Sequence, residues 1–142
     1  MSLLVVGTVA FDQIETPFGK TDKILGGAAT FIGIAASKLE VNSGLVSVIG
    51  SDFPQEYIDL MESHKLDLSG IKKIDEGKTF FWSGRYKNDM NTRETLVTEL
   101  NVLENFEPQV PENWKNPEVL MLGNLHPSIQ KSVLNQLETR PK

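Results

Sequence analysis

The sequence has no cysteine and only two histidines, His64 and His126, far apart in the chain. Without thiols there is no disulfide framework, and two separated imidazoles leave no zinc or redox constellation. Such a composition fits an intracellular protein without requiring one. No apolar run reaches the roughly 18 residues of a membrane span, and no basic segment precedes a long apolar stretch at the N-terminus. The chain therefore reads as soluble and cytoplasmic, with no membrane partner. Positive charge is scarce as well: 14 Lys and Arg against 19 Asp and Glu leave a net charge of −5. The basic residues are dispersed, whereas counterion release from nucleic acid needs them clustered, so no nucleic-acid partner is expected. Small-molecule or protein partners fit better.

Several catalytic signatures are missing too. There is no G-x-G-x-x-G, no G-x-S-x-G and no H-E-x-x-H, which removes the usual signals for dinucleotide binding, serine hydrolysis and zinc hydrolysis. Gly19-Lys20-Thr21 and Gly77-Lys78-Thr79 both spell the end of a Walker A loop, but the positions that need its first glycine hold Ile14 and Lys72. Both are rejected.

What is present fits a single α/β domain: 142 residues, 39% hydrophobic and 23% charged. Enzymes built on long parallel sheets are often larger. The end at Glu138-Thr139-Arg140-Pro141-Lys142, straight after a helical pattern, fits a cut as readily as a natural terminus. Leu3-Leu4-Val5-Val6-Gly7 reads as a central parallel strand, because an unbroken apolar run needs cover on both faces. Thr16-Pro17-Phe18-Gly19 signals a turn in a small hairpin outside the main sheet. From Gly27 to Leu39, Ala28, Phe31, Ile32, Ala35, Ala36 and Leu39 recur at helical spacing and define the expected buried face.

Asn42-Ser43-Gly44 is expected to end that helix and lead into a second buried strand, Leu45 to Ile49. Asp52-Phe53-Pro54-Gln55 predicts a helix start with Asp52 as cap, running to about His64. Lys78 to Lys87 alternates as a strand, with Phe80, Trp82 and Tyr86 on one face and Phe81, Ser83 and Arg85 on the other; Glu94 to Leu100 is its antiparallel partner. After a Pro- and Glu-rich connection, Val119 to Gly123 predicts another buried strand. Pro127 then opens a helix with Ile129, Val133, Leu134 and Leu137 on one face. The order implies a parallel α/β layer with an antiparallel β excursion.

Three places carry candidate chemistry. Gly26-Gly27 precedes a helix whose N-terminal N–H groups can meet ligand oxygens, or it is a tight turn needing positive φ. Asp12 lies just past a strand end, where a carboxylate can accept from two sugar hydroxyls or serve as a turn residue. Asn124 and His126 follow the late strand at its C-terminal end, where they can touch ligand or guide entry into the helix; His64 suits a helix C-terminus. Arg85 and Arg93 can reach an acidic substituent of a substrate, against the reading of a solvated strand face. Phe80, Trp82 and Tyr86 can stack on a ring, but a packing role against a sheet or another subunit is favoured.

Val5-Val6-Gly7, Asp12, Gly26-Gly27-Ala28-Ala29-Thr30 running through Ala35-Ala36-Ser37-Lys38-Leu39, and Val48-Ile49-Gly50-Ser51-Asp52 together resemble the N-terminal portion of a ribokinase-like (PfkB-family) carbohydrate kinase. Gly77 to Tyr86 with Asn91-Thr92-Arg93-Glu94-Thr95 resembles a branch described loosely as sugar kinases. The resemblance covers nearly the whole chain. It implies a partial Rossmann-like parallel sheet with helices, a small antiparallel β lid made by residues of about 12–25 and 78–100, and an acceptor pocket between them lined by Asp12, Gly26 and Gly27. It further implies a sugar or nucleoside as small-molecule partner, and a homo-oligomer paired through lid strands. ATP and Mg2+ are implied for the full-length protein, with no cofactor expected for this chain alone.

Two departures qualify that picture. Phe31 stands where many members have an asparagine, so no hydroxyl-binding role is carried to it. The family's G-A-G-D motif, with its catalytic aspartate and anion-holding N–H groups, is absent, as is the ATP-binding half. No residue here is assigned as catalytic, and the chain by itself is expected to be inert. The competing reading is a noncatalytic binding or dimerisation module that keeps lid and pocket.

Overall fold

The computed structural model describes residues 1–142. In chain order the elements are β1 (Ser2–Val6), β2 (Ala10–Thr16), β3 (Gly19–Lys20), β4 (Ile24–Gly26), α1 (Ala28–Lys38), β5 (Asn42–Gly50) and α2 (Gln55–Ser63). They continue with β6 (Asp67–Ile74), β7 (Phe81–Tyr86), β8 (Arg93–Glu99), β9 (Val119–Leu122) and α3 (Pro127–Leu134). Two sheets result. The first has the order β6-β5-β1-β9 with every pair parallel. The second has the path β3-β2-β7-β8, with β4 also on β2, and is antiparallel except for the β2–β7 pair. The expected α/β class and separate β layer are both present.

β1 shows why an unbroken apolar run becomes a central strand. Leu3 and Val5 pack with Ala29, Leu45, Met61 and Leu66 on the face covered by α1 and α2. Leu4 and Val6 project the other way, into Val46, Val48, Trp114 and Val133. Alternation along the strand sends successive side chains to opposite faces, and both are dry here. The connection before β9 belongs to that second core, burying Phe106, Val110 and Trp114. Trp114 lies across Gly44, where a Cβ would collide with the indole, and its Nε1 donates to Asp67 Oδ2 at 2.8 Å.

Several sequence expectations shift. The buried face of α1 is Ala29, Thr30, Gly33 and Ala36, while Phe31 and Leu39 are 60% and 78% exposed. The smallest residues turn to the sheet because they allow close approach; a Cβ on Gly33 would press on Leu45 and Leu66 at 3.0 and 3.1 Å. The turn after α1 falls at Glu40, which has φ 57°, and Asn42 to Gly44 already belong to β5. Asp52 does not cap α2, whose N-cap is Pro54; Asp52 Oδ1 instead accepts from the Thr79 N–H at 2.7 Å and its hydroxyl at 2.8 Å. β6 was not expected as a strand, since Asp67-Leu68-Ser69-Gly70-Ile71-Lys72-Lys73-Ile74 is polar, as an edge strand can be. At the opposite edge β9 is half-buried rather than buried, with Met121 45% exposed, and Leu134 of α3 faces solvent.

Candidate functional site

The two sheets meet at Gly7 to Val9, the three residues between β1 and β2. Thr8 is buried there and organises the cleft. Its hydroxyl accepts from the Ala28 N–H at 3.1 Å, and its carbonyl accepts from the Ala29 N–H at 2.9 Å. Its own N–H and hydroxyl donate to Asn124 Oδ1 at 3.3 and 3.1 Å. One threonine therefore ties the start of α1 to the loop after β9. The Asn124 Nδ2 group has no acceptor within the protein and lies at the cleft wall, an available donor.

Gly27 has φ 96°, in the left-handed region that favours glycine, and a Cβ on it would run into the Thr8 carbonyl. Gly26 is constrained differently: the Asp12 carboxylate occupies the space where its Cβ would stand. Asp12, on β2 opposite Ile24, is brought against the glycine pair by the β2–β4 hairpin. Burial pushes its carboxyl above the ordinary aspartate value, and a hydrogen bond from the Gly27 N–H offsets part of that rise.

The cleft holds about 430 Å3 and is lined by Thr8, Asp12, Gly27, Ala28 and Asn124 on its polar side, and by Phe31, Phe80, Trp82, Tyr86, Ile14 and Arg93. That size suits a small organic ligand. Asp12, Gly27 and Asn124 are brought together, with Gly26 packed directly behind Asp12. Arg85 is not: it lies on the other lid face, its Nε 2.8 Å from Glu15 and its Nη1 3.9 Å from Glu94. The cation in the cleft is Arg93, with its guanidinium carbon 5.1 Å from the Trp82 ring centre.

Phe80, Trp82 and Tyr86 line the cleft, where the sequence reading favoured packing. Phe31, expected on the buried face of α1, joins them. The alternation of Phe80, Trp82 and Tyr86 on one strand face carries the signal for the first three, and nothing in the helical spacing marks Phe31 as exposed. Gly84 shares that face, and the Trp82 indole lies over it. His126 caps α3, its Nδ1 accepting from the Ser128 N–H at 3.2 Å, and His64 meets the Ser37 hydroxyl at 3.3 Å, so neither faces the cleft.

The first N–H groups of α1 are engaged by Asp12 and Thr8 rather than open to an anion, and no three acidic or histidine side chains converge on a point. The residues of this chain do not by themselves fit a metal–nucleotide group.

No family model matches the chain. It is 31% identical to the cytidine kinase of Thermococcus kodakarensis over 97% of this chain and 49% of that protein. The Methanocaldococcus jannaschii nucleoside kinase, described as an archaeal member of the ribokinase family, superposes with a TM-score of 0.78 at 20% identity over 99% of this chain and 50% of that one. The Burkholderia thailandensis nucleoside kinase in complex with inosine gives a TM-score of 0.62 at 19% identity over 70% of this chain and 37% of that one. The chain thus has the ribokinase-like fold and is related in sequence to nucleoside kinases. It spans about half the length or less of the curated relatives it matches, 49% and 38%. No helix is long and apolar enough to cross a membrane.

Proposed function

We propose that this chain supplies the acceptor-binding, N-terminal part of an ATP-dependent kinase of the ribokinase type, and that the acceptor is a nucleoside. The observation that carries the reading is the pairing of a carboxylate and a free amide donor with four aromatic side chains in one cleft. Asp12 accepts from sugar hydroxyls and Asn124 donates to a sugar oxygen, while Phe31, Phe80 and Tyr86 offer faces to a planar base and Trp82 an edge. A free sugar would use the polar wall and leave the aromatic one uncovered. The names cytidine kinase and nucleoside kinase among the relatives support the same choice.

Phosphoryl transfer needs a base for the acceptor hydroxyl and donors for the moving charge, and neither is assigned to residues of this chain. Its part is to bind and orient the acceptor. β8 is exposed along its whole length, with Leu96 and Val97 at the lid edge, which supports pairing of two lids in a homo-oligomer. Calorimetric titration of the chain with nucleosides and with free pentoses and hexoses tests the acceptor. Nucleoside binding weakened by about tenfold to a hundredfold in D12N is expected, and tighter binding of a free sugar than of every nucleoside would overturn the reading. A transfer assay with ATP is the companion measurement, in which product formed by this chain alone would refute a purely binding role.

A further inference from the structure

Arg93 is the one cation lining the cleft, and nothing in the proposed handling of the ribose uses it. In the β7–β8 register it stands opposite Tyr86, yet its guanidinium folds back over the indole of Trp82, four residues earlier on β7. Trp82 is itself steadied: its Nε1 donates to Thr95 Oγ1 at 3.3 Å, and its ring lies over Gly84. No carboxylate pairs with Arg93, in contrast to Arg85 on the other face, which Glu15 and Glu94 hold. A guanidinium held near an aromatic face with no carboxylate partner keeps its forked N–H donors available to a ligand.

Asp12 pairs with Trp82 in the β2–β7 register, so carboxylate and guanidinium stand on different strands, one on either side of the indole. From strand spacing and rise, the backbones of Asp12 and Arg93 are about 16 Å apart. A ligand held by its ribose at Asp12 would carry its base toward Arg93. A phosphate suits this fork poorly, because the cleft's other charge is the Asp12 carboxylate, the chain carries −5 overall, and the first N–H groups of α1 are already engaged. A neutral base edge with two adjacent acceptors suits it well.

Resting on the nucleoside reading of the cleft, we propose that Arg93 is the base-specificity residue, donating two parallel hydrogen bonds to adjacent acceptors on the base. Cytosine offers O2 and N3, while guanine and hypoxanthine offer O6 and N7. Uracil and adenine offer no such adjacent pair. The preference expected from one bidentate contact is about tenfold to a hundredfold.

The test is calorimetric titration of the chain with cytidine, guanosine, inosine, uridine and adenosine, for the parent protein, R93M and R93K. The first three are expected to bind more tightly than the last two, and R93M should remove the difference. R93K keeps the charge without the fork and should lose most of it. On the unaltered protein, 7-deazaguanosine, which lacks N7, should lose the same factor against guanosine, a comparison that holds whether or not a variant folds. Nucleoside binding whose ranking ignores both Arg93 and the deaza change would overturn this inference alone. Failure of every nucleoside to bind would overturn the nucleoside reading and this inference with it. Tighter binding of ribose 5-phosphate than of the nucleosides would overturn it in favour of an anionic ligand.

Discussion

The two sheets of this protein are built on opposite principles from adjacent stretches of chain. β1 is buried on both faces and carries the two hydrophobic cores; β8 in the other sheet is exposed at every residue. The first sheet is held by packing. The second packs through one face only, where Phe11 and Phe81 join the core beside Phe53, and is otherwise held by backbone pairing, a few charged contacts, and an anchor at its root, where Asp52 and Gly50 grip Thr79 just before β7. Most of the buried core therefore lies around the first sheet, while the second supplies Asp12, Ile14, Trp82, Tyr86 and Arg93 to the cleft. A surface proposed to receive a ligand cannot also be packed shut.

The sharpest way to break that contrast is to trade matched truncations between the sheets. Leu4→Ala, at a fully buried position, should cost about 2–5 kcal/mol in denaturant unfolding. Val97→Ala, on the exposed edge strand, should stay within about 0.5 kcal/mol. Equal costs would mean that the lid is as tightly packed as the body.

Next in size is Thr79→Val. It leaves the buried Gly50 N–H without the acceptor it has at 2.9 Å and removes one partner of Asp52, at an expected cost of about 1–3 kcal/mol. Because the anchor sits at the lid root, hydrogen exchange should speed up in β7 and β8 while β1 stays protected. Uniform loss of protection would show that the two sheets open as one unit.

Asp12→Asn should move binding and stability in opposite directions. Affinity for a nucleoside should fall by about tenfold to a hundredfold, as the ionised acceptor is lost. The folded carboxyl titrates above its unfolded value, so its contribution to stability is favourable below the unfolded pKa and is lost as pH rises through the folded one. At neutral pH the charge costs stability, and the asparagine variant should melt at a higher temperature. For the same reason nucleoside affinity should decline with falling pH already above the ordinary aspartate range, and that decline should vanish in the variant.

The smallest effect is expected from Arg85→Gln, which sits beside the site in sequence and on the wrong face of the lid. Calorimetric nucleoside affinity should not change. A tenfold loss would place Arg85 in contact with ligand after all.

Legibility from sequence followed the same division. β1 and β5 were plain because burial on both faces leaves a continuous apolar run, and the β2–β3 hairpin was plain because Thr16-Pro17-Phe18-Gly19 is a turn in its own chemistry. β6 is hidden because an edge strand tolerates lysine and glycine, and the phase of α1 departs from its large apolar residues because small ones face the sheet. Within the cleft, Asp12 and Asn124 could be read from their places at strand ends. That Arg93 rather than Arg85 would be the arginine in the cleft could not, although alternation already set Arg85 on the face opposite the aromatic stripe. It depends on the register of β7 against β8, which shifts by one residue between Ser83 and Gly84, and no composition rule fixes such a shift.

Gly26 and Gly27 acquire a different standing from these contacts. Each is required by its neighbours within the protein, the Asp12 carboxylate for one and the Thr8 carbonyl for the other, before any ligand arrives. A search pattern centred on the glycine pair would therefore gather chains that share this architecture, whatever they recognise. Sorting those chains by what they recognise would have to rest on the positions of Phe31 and Arg93, neither of whose side chains is held by a hydrogen bond or ion pair within the protein.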